Sequence, residues 1–334
     1  MRNSRLRLCV RGKWACSNRF QTLTERILRS KTVLNTLANV SEHGTTFSAT
    51  TALFMSSVVR PLAICSTPDV EKENKQYAVA NNLPLLQPVN LKDPQFVEEL
   101  RSLGANLFVV IAFRMLPEVV WAMPELGTFN LHASLLPKYR GAAPINWAVI
   151  NGDTETGVTT FFLKHEIDTG DIIRQERIEI APTDNVGDVH DRLMMLGADL
   201  TIDTIDHIIA GDLKPIPQDE ILQGAEPTPA PKIFKDTCLI DWNKSAVDVH
   251  NLVRGLSPYP AAWTTFEQEG REPITMKVFE TAVVEWGGSL NPGRFTIESG
   301  HLYVDCADNR IEILSLQAAG KKRMPTADFL RGLK

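Results

Sequence analysis

The chain has 334 residues, 43% of them hydrophobic, with a formal net charge of −5 and five scattered cysteines, Cys9, Cys16, Cys65, Cys238 and Cys306. That length is a soft prior for two domains of ordinary soluble composition. No apolar run approaches the roughly eighteen residues a membrane helix needs. The cysteine spacing suggests a reducing compartment with neither a disulfide framework nor a metal site, and no Gly-x-Gly-x-x-Gly or P-loop phosphate motif occurs.

Charge is uneven along the sequence. Residues 1–61 carry ten Lys/Arg against two acids, residues 62–231 twelve against twenty-five, and residues 232–334 thirteen of each. The first segment is Arg- and Ser/Thr-rich. Its composition fits a mitochondrial transit peptide, an unstructured tail or a basic arm for nucleic acid.

From Lys72 helix and strand patterns alternate. Helices are predicted over 73–82, 93–103 (with Pro94 in the first turn) and 116–123, and strands over 83–89, 106–112 and 127–132. Residues 106–112 (NLFVVIA) are continuously apolar, as in a strand covered on both faces. The alternation predicts an open α/β sheet with helices on both sides and its site beyond the carboxyl ends of the strands.

At the end of the last of these strands stand Asn130 and His132. Residues two apart on a strand share a face, so an amide and an imidazole converge there. Ser134, Leu135, Leu136 and Pro137 make a turn, Gly141 follows, and 142–150 reads as a helix opened by Pro144. Residues 157–163 read as a strand leading to the polar turn Asp168-Thr169-Gly170-Asp171. An amide and an imidazole can hold negative charge developing on a carbonyl oxygen, and the imidazole can shuttle a proton. A carboxylate such as Asp168 can orient the ring and hold its charged form. Polar residues at a sheet edge satisfy the same pattern, so chemistry alone leaves both readings open. His165 is the rival for the proton-transfer role; His190 and His207 lie on a long amphipathic helix over 186–209 and read as packing or surface residues.

Residues 212–231 are proline-rich without apolar period and read as a linker. Beyond them a helix over 245–255 precedes several short strands separated by Gly, Asn and Asp, a pattern that suggests a small barrel. Its dense basic cluster is Lys321, Lys322 and Arg323, a candidate phosphate-facing spot.

The words FNLHASLLPKYRG and the later Asp-x-Gly resemble the folate-dependent formyltransferases. RGAAPINWAVINGDTETGVTTFF, RGLSPYPAAWT and AGKKRMPTADFLRG are similar to the methionyl-tRNA branch of that superfamily. The likeness runs from about Ser66 to Lys334. It implies a Rossmann-like formyltransferase domain with a parallel sheet over 62–211, the linker 212–231, and an OB-like β-barrel domain that binds tRNA over 232–334. It also implies 10-formyltetrahydrofolate as formyl donor without a metal, initiator methionyl-tRNA as acceptor, and a monomer of the bacterial cytoplasm with no membrane attachment. A mitochondrial matrix location would follow if residues 1–61 were a transit segment.

By the same resemblance Asn130, His132 and Asp168 are catalytic and Ser134, Leu135, Leu136 and Pro137 pack against folate. Arg140, Lys321, Lys322 and Arg323 would contact tRNA. Two departures stand out. The family's first strand, with its Gly-Thr-Pro-x-Phe-Ala loop, and its Ala-Gly-Arg-Gly insertion after the second strand are absent from the text. The first strand is therefore expected to be missing or divergent, with 47–59 the candidate to replace it. The alternatives that follow are a formyltransferase for a sugar-nucleotide or ribonucleotide amine, or a folate- and RNA-binding paralogue impaired by its N-terminus.

Overall fold

The computed structural model describes residues 6–12, 59–65, 79, 82, 84–111, 115–267 and 272–333. Contacts divide the chain into two compact units: one of residues 1–140, 157–177 and 191–228, the other of 141–156, 178–190 and 229–334.

The strands up to the long helix are β1 (Leu6–Gly12), β2 (Val59–Cys65), β3 (Leu85–Leu86), β4 (Leu107–Ile111), β5 (Thr128–His132), the two-residue β6 (Arg140–Gly141), β7 (Glu155–Phe162) and β8 (Ile172–Glu179). All except β6 belong to one seven-stranded sheet in the order β3-β2-β1-β4-β5-β7-β8. It is parallel from β3 to β5, and β7 runs antiparallel to β5.

The apolar run of β4 behaves as its sequence predicts. Leu107, Val109 and Ile111 point to one face and pack with Phe129 against Met194, Ala198, Ile205 and Ile208 of the helix Val186–Ala210. Phe108 and Val110 point to the other, against Phe96, Val97 and Leu100 of the helix Pro94–Ser102. Each such fully buried side chain stabilises the fold by about 1.5–3 kcal/mol, and this two-sided layer holds the site-bearing end of β5 in place. The helix Pro94–Ser102 starts where proline fits its first turn, and the Asp93 side chain accepts a hydrogen bond from Gln95 N at 2.9 Å. Of the helix expected over 73–82, only residues 79 and 82 are described.

The first-strand position is not empty. β1 fills it, pairing in parallel with β2 on one side and β4 on the other, with Val10 opposite Val109. The expectation from the sequence is a first strand missing or divergent, with 47–59 the candidate to replace it; 47–58 lie outside the described residues, and Val59 opens β2. The stretch LRLCVRG alternates apolar residues with others, but its arginines gave it the composition of a basic tail.

The expected linker is likewise not structureless. It holds the helix Gln218–Leu222 and a short strand β9 (Pro229–Ala230), and Ile216 exchanges both backbone hydrogen bonds with Ile172 at 2.8 Å.

In the second unit the helix Ala246–Leu256 is capped by Ser245, whose hydroxyl accepts from Asp248 N at 3.0 Å. It packs on the helix Pro144–Ile150, with Asn146 Nδ2 donating to Gly255 O at 2.8 Å. The remaining strands are β10 (Ala262–Phe266), β11 (Ile274–Val284), β12 (Phe295–Glu298), β13 (His301–Asp305), β14 (Arg310–Ala318) and β15 (Met324–Pro325). They form an antiparallel sheet in the order β10-β11-β14-β13-β12, with β15 on β14. The expected barrel does not close among the described residues. The free edge of β10 is taken by Leu239 and by Ile240, whose N–H donates to Trp263 O at 2.9 Å, so it is not available to β12. Val249, Val253 and Leu256 of the helix seal this sheet with Met276, Val278 and Ile313.

Candidate active site

β5 ends in Asn130 and His132, and the turn after β5 and the Asp168 turn both reach His132. The turn after β5 is pinned by Thr159 on the antiparallel neighbour β7. Its hydroxyl donates to Ser134 O at 2.7 Å and accepts from Leu136 N at 3.1 Å and Gln175 Nε2 at 2.8 Å. Gln175 Nε2 also donates to Leu136 O at 2.7 Å, and the Ser134 hydroxyl donates to Lys138 O at 2.7 Å. Ser134, Leu136 and Pro137 are buried and Leu135 half-buried, so most of this predicted folate-packing turn is built into the scaffold.

The turn brings Tyr139 O to 2.9 Å from His132 Nε2. A carbonyl only accepts, so Nε2 carries a hydrogen, and Nδ1 is the nitrogen left to gain or lose a proton. Nδ1 faces Asp168 Oδ2 at 3.9 Å, both side chains largely shielded from solvent. The Phe161 ring stands edge-on to the imidazole. Both groups flanking the ring come from residues in the left-handed region, Tyr139 at φ 61° and Asp168 at φ 55°. Non-glycine residues adopt that conformation at a cost of order 1–2 kcal/mol, and it concentrates at functional sites.

Asn130 is half-buried, and its Oδ1 is fully buried with no hydrogen-bond partner. Leaving such an atom unpaired costs about 1–3 kcal/mol, and a substrate group that fills the gap recovers that penalty. Gly170 explains the glycine of the Asp-x-Gly turn: a Cβ there would lie 1.5 Å from Phe162 O, so the loop could not close behind Asp168 with any larger residue. Asn130, His132 and Asp168, the three predicted catalytic residues, therefore come together.

The rival His165 is exposed, 3.2 Å from Glu118 and edge-on to Trp121. Cys238 and Cys306 are buried, which disfavours either as a thiol nucleophile. Burial, with Asp308 and Asp305 nearby, pushes the Cys306 thiol up to about 12. No group of three or more His, Cys, Asp or Glu suited to a metal occurs among the described residues.

The residues expected to touch tRNA divide. Arg140 directs Nε and Nη2 to Gln218 Oε1 at 3.0 and 2.8 Å. Arg323 stacks on Phe279, donates to Ser315 and pairs with Glu280 at 3.4 Å, while Lys321 and Lys322 are exposed. The sequence reading missed Tyr139, Thr159, Gln175 and Gln218. Only Gln218 had a local signal, a Pro-Gln-Asp-Glu helix start inside text read as linker.

An α/β sheet presenting an amide, an imidazole and a carboxylate at the end of one strand is an arrangement suited to acyl-group transfer. Residues 42–205 match the formyl transferase family and residues 232–334 its C-terminal domain. The chain belongs to the formyl transferase family. It is 58% identical over 259 residues to a methionyl-tRNA formyltransferase of Bacteroides fragilis, covering 77% of this chain and 80% of that one. With the methionyl-tRNA formyltransferase of Parabacteroides distasonis it shares 55% over 282 residues, 83% of each chain. Among solved structures, the N-formyltransferase of Helicobacter canadensis, in complex with folinic acid and dTDP-3-aminofucose, superposes with a TM-score of 0.60 at 19% identity. That match covers 94% of this chain and 99% of that one, a likeness of fold.

Proposed function

We propose that the protein transfers the formyl group of 10-formyltetrahydrofolate to the α-amino group of initiator methionyl-tRNA. The observation that carries the reading is the placement of His132 between Tyr139 O and Asp168, two residues along the same strand from Asn130, whose Oδ1 has no partner. This placement occurs in a chain 55–58% identical to methionyl-tRNA formyltransferases.

The amine attacks the formyl carbon and its carbonyl electrons move onto oxygen. Asn130 donates from its amide Nδ2 to that oxyanion. The attacking nitrogen sheds a proton to His132 Nδ1, the position left open by the Tyr139 bond. The imidazolium so formed faces Asp168, which stabilises it across 3.9 Å, directly or through one water. Collapse of the intermediate breaks the carbon–nitrogen bond to folate, and the departing nitrogen takes the proton from Nδ1. The formyl group ends as an amide on methionine.

Lys321 and Lys322 supply exposed charge for the tRNA backbone, Arg140 being already engaged by Gln218. A sugar-nucleotide amine is the competing acceptor, but its support is a likeness of fold at 19% identity. The presence of β1 between β2 and β4 speaks against an impaired binder that lacks its first strand, leaving the absent insertion as that alternative's ground. The reading implies a bacterial cytoplasmic monomer.

The test is formylation of charged initiator methionyl-tRNA by the full chain with 10-formyltetrahydrofolate, alongside Asn130→Ala. Losing one oxyanion donor lowers turnover on the order of a hundredfold or more. Near-full activity in the variant would remove Asn130 from this role.

A further inference from the structure

We infer that Gln218, from the segment beyond the long helix, is a positioning residue for the His132–Asp168 pair; the inference rests on the reaction proposed above. Gln218 is 2% exposed, and all four of its amide hydrogen-bonding positions are used. Its Nε2 donates to the backbone carbonyls of Asp168 and Gly170, both at 2.8 Å. Its Oε1 accepts from Arg140 Nε and Nη2 at 3.0 and 2.8 Å.

These bonds reach both sides of the imidazole. On one side the amide grips the two carbonyls that bracket Thr169, where Asp168 holds its left-handed backbone and aims its carboxylate at His132 Nδ1. On the other it holds Arg140, the residue after Tyr139, whose carbonyl receives His132 Nε2. A single side chain thus fixes the spacing between the carboxylate that faces Nδ1 and the carbonyl that sets the ring's tautomer. Its own anchor is close: the Pro217 turn follows Ile216, which is bonded twice to Ile172 just past Gly170. Burying a glutamine is costly unless its amide is fully bonded, and here two bonds go to the backbone of the Asp168 turn and two to the Arg140 side chain.

Two variants separate positioning from folding. Gln218→Glu keeps the acceptor for Arg140 but sets carboxylate oxygens against the two carbonyls. Gln218→Met removes all four bonds at similar volume. Each is measured alone and combined with Asp168→Asn in steady-state formylation of methionyl-tRNA, with thermal unfolding as the folding control. In the Asp168 background the expected result is a fall in kcat of about tenfold or more for either variant, with KM for both substrates changed less than about twofold. In the Asp168→Asn background a further loss below about twofold is expected, because the group being positioned is already disabled. Equal losses in both backgrounds, or kcat within about twofold of the wild type, would overturn the inference.

The 15N resonances of the His132 ring, read without substrate, decide the matter independently of turnover. Gln218→Met should move the Nδ1 resonance in the direction Asp168→Asn does, and an unmoved resonance refutes the role. If the wild type fails to formylate methionyl-tRNA, the reaction reading falls, while these resonances still test the geometry.

Discussion

In the C-terminal unit Arg310 is held from three sides: Asp305 at 2.7 Å, Glu298 at 3.3 Å and the Trp286 ring 3.5 Å from its guanidinium carbon. In the N-terminal unit His132 has one hydrogen bond at 2.9 Å, its carboxylate stands off at 3.9 Å, and the Oδ1 of Asn130 two residues earlier has no partner. Arg310 and Asp305 are shielded from water, as are His132 and the Asn130 Oδ1. A buried charge with every partner in place is architecture, and its value shows only when it is broken. Buried polar groups left incomplete are a cost the fold carries at the place where a substrate completes them.

The largest effect expected from breaking the first arrangement is on stability. Asp305→Ala removes the buried partner of Arg310, leaving it Glu298 and the Trp286 ring, and unpairs the Asn291 N–H that Asp305 also accepts. It should destabilise the C-terminal unit by about 3–5 kcal/mol in denaturant unfolding, with formylation per folded molecule unchanged. Breaking the second arrangement should do the reverse. Asp168→Asn should lower kcat about a hundredfold while the thermal midpoint stays within about 2 °C, a change below about 1 kcal/mol. Equal damage to stability in both variants would dissolve the contrast.

A smaller effect sharpens it. His250 of the C-terminal unit donates or accepts at Thr281 Oγ1 (3.0 Å), and burial, then the nearby Arg254 charge, holds its pKa below the ordinary 6.5. A depressed pKa means the unfolded chain binds the proton first, so stability is full above 6.5 and declines as pH falls below it toward the folded value. The wild-type midpoint should therefore drop between about pH 7.5 and 5.5 by about 1–3 °C more than that of His250→Gln, measured by calorimetry. Equal drops would show that His250 carries no such linkage.

The parts of this molecule legible in the sequence are those where local pattern and global role agree. Five apolar residues in β4 dictate a strand covered on both faces, and Asn130 and His132 two apart on the next strand dictate a shared face. The words around them carried the chemistry further than spacing could. What was hidden depends on distant backbone. Tyr139 acts through its carbonyl, so its side-chain identity says nothing. Gln218 bonds across about fifty residues to carbonyls that no composition reveals. β1 was obscured differently: arginines alternate with its apolar residues, and the charge dominated the reading. The barrel expectation failed at an edge, since strand spacing does not say which segment covers β10.

The central place of β1 also sets a timetable for assembly. β4 meets β5 across a separation of 20 residues, Val109 to Phe129, but meets β1 across 99, Val10 to Val109. Closing the longer loop costs about 1.4 kcal/mol more, a little over two doublings of length. The earliest described strand to leave the ribosome therefore waits longest for a partner: it stays unpaired on its β4 side until more than a hundred residues have been made.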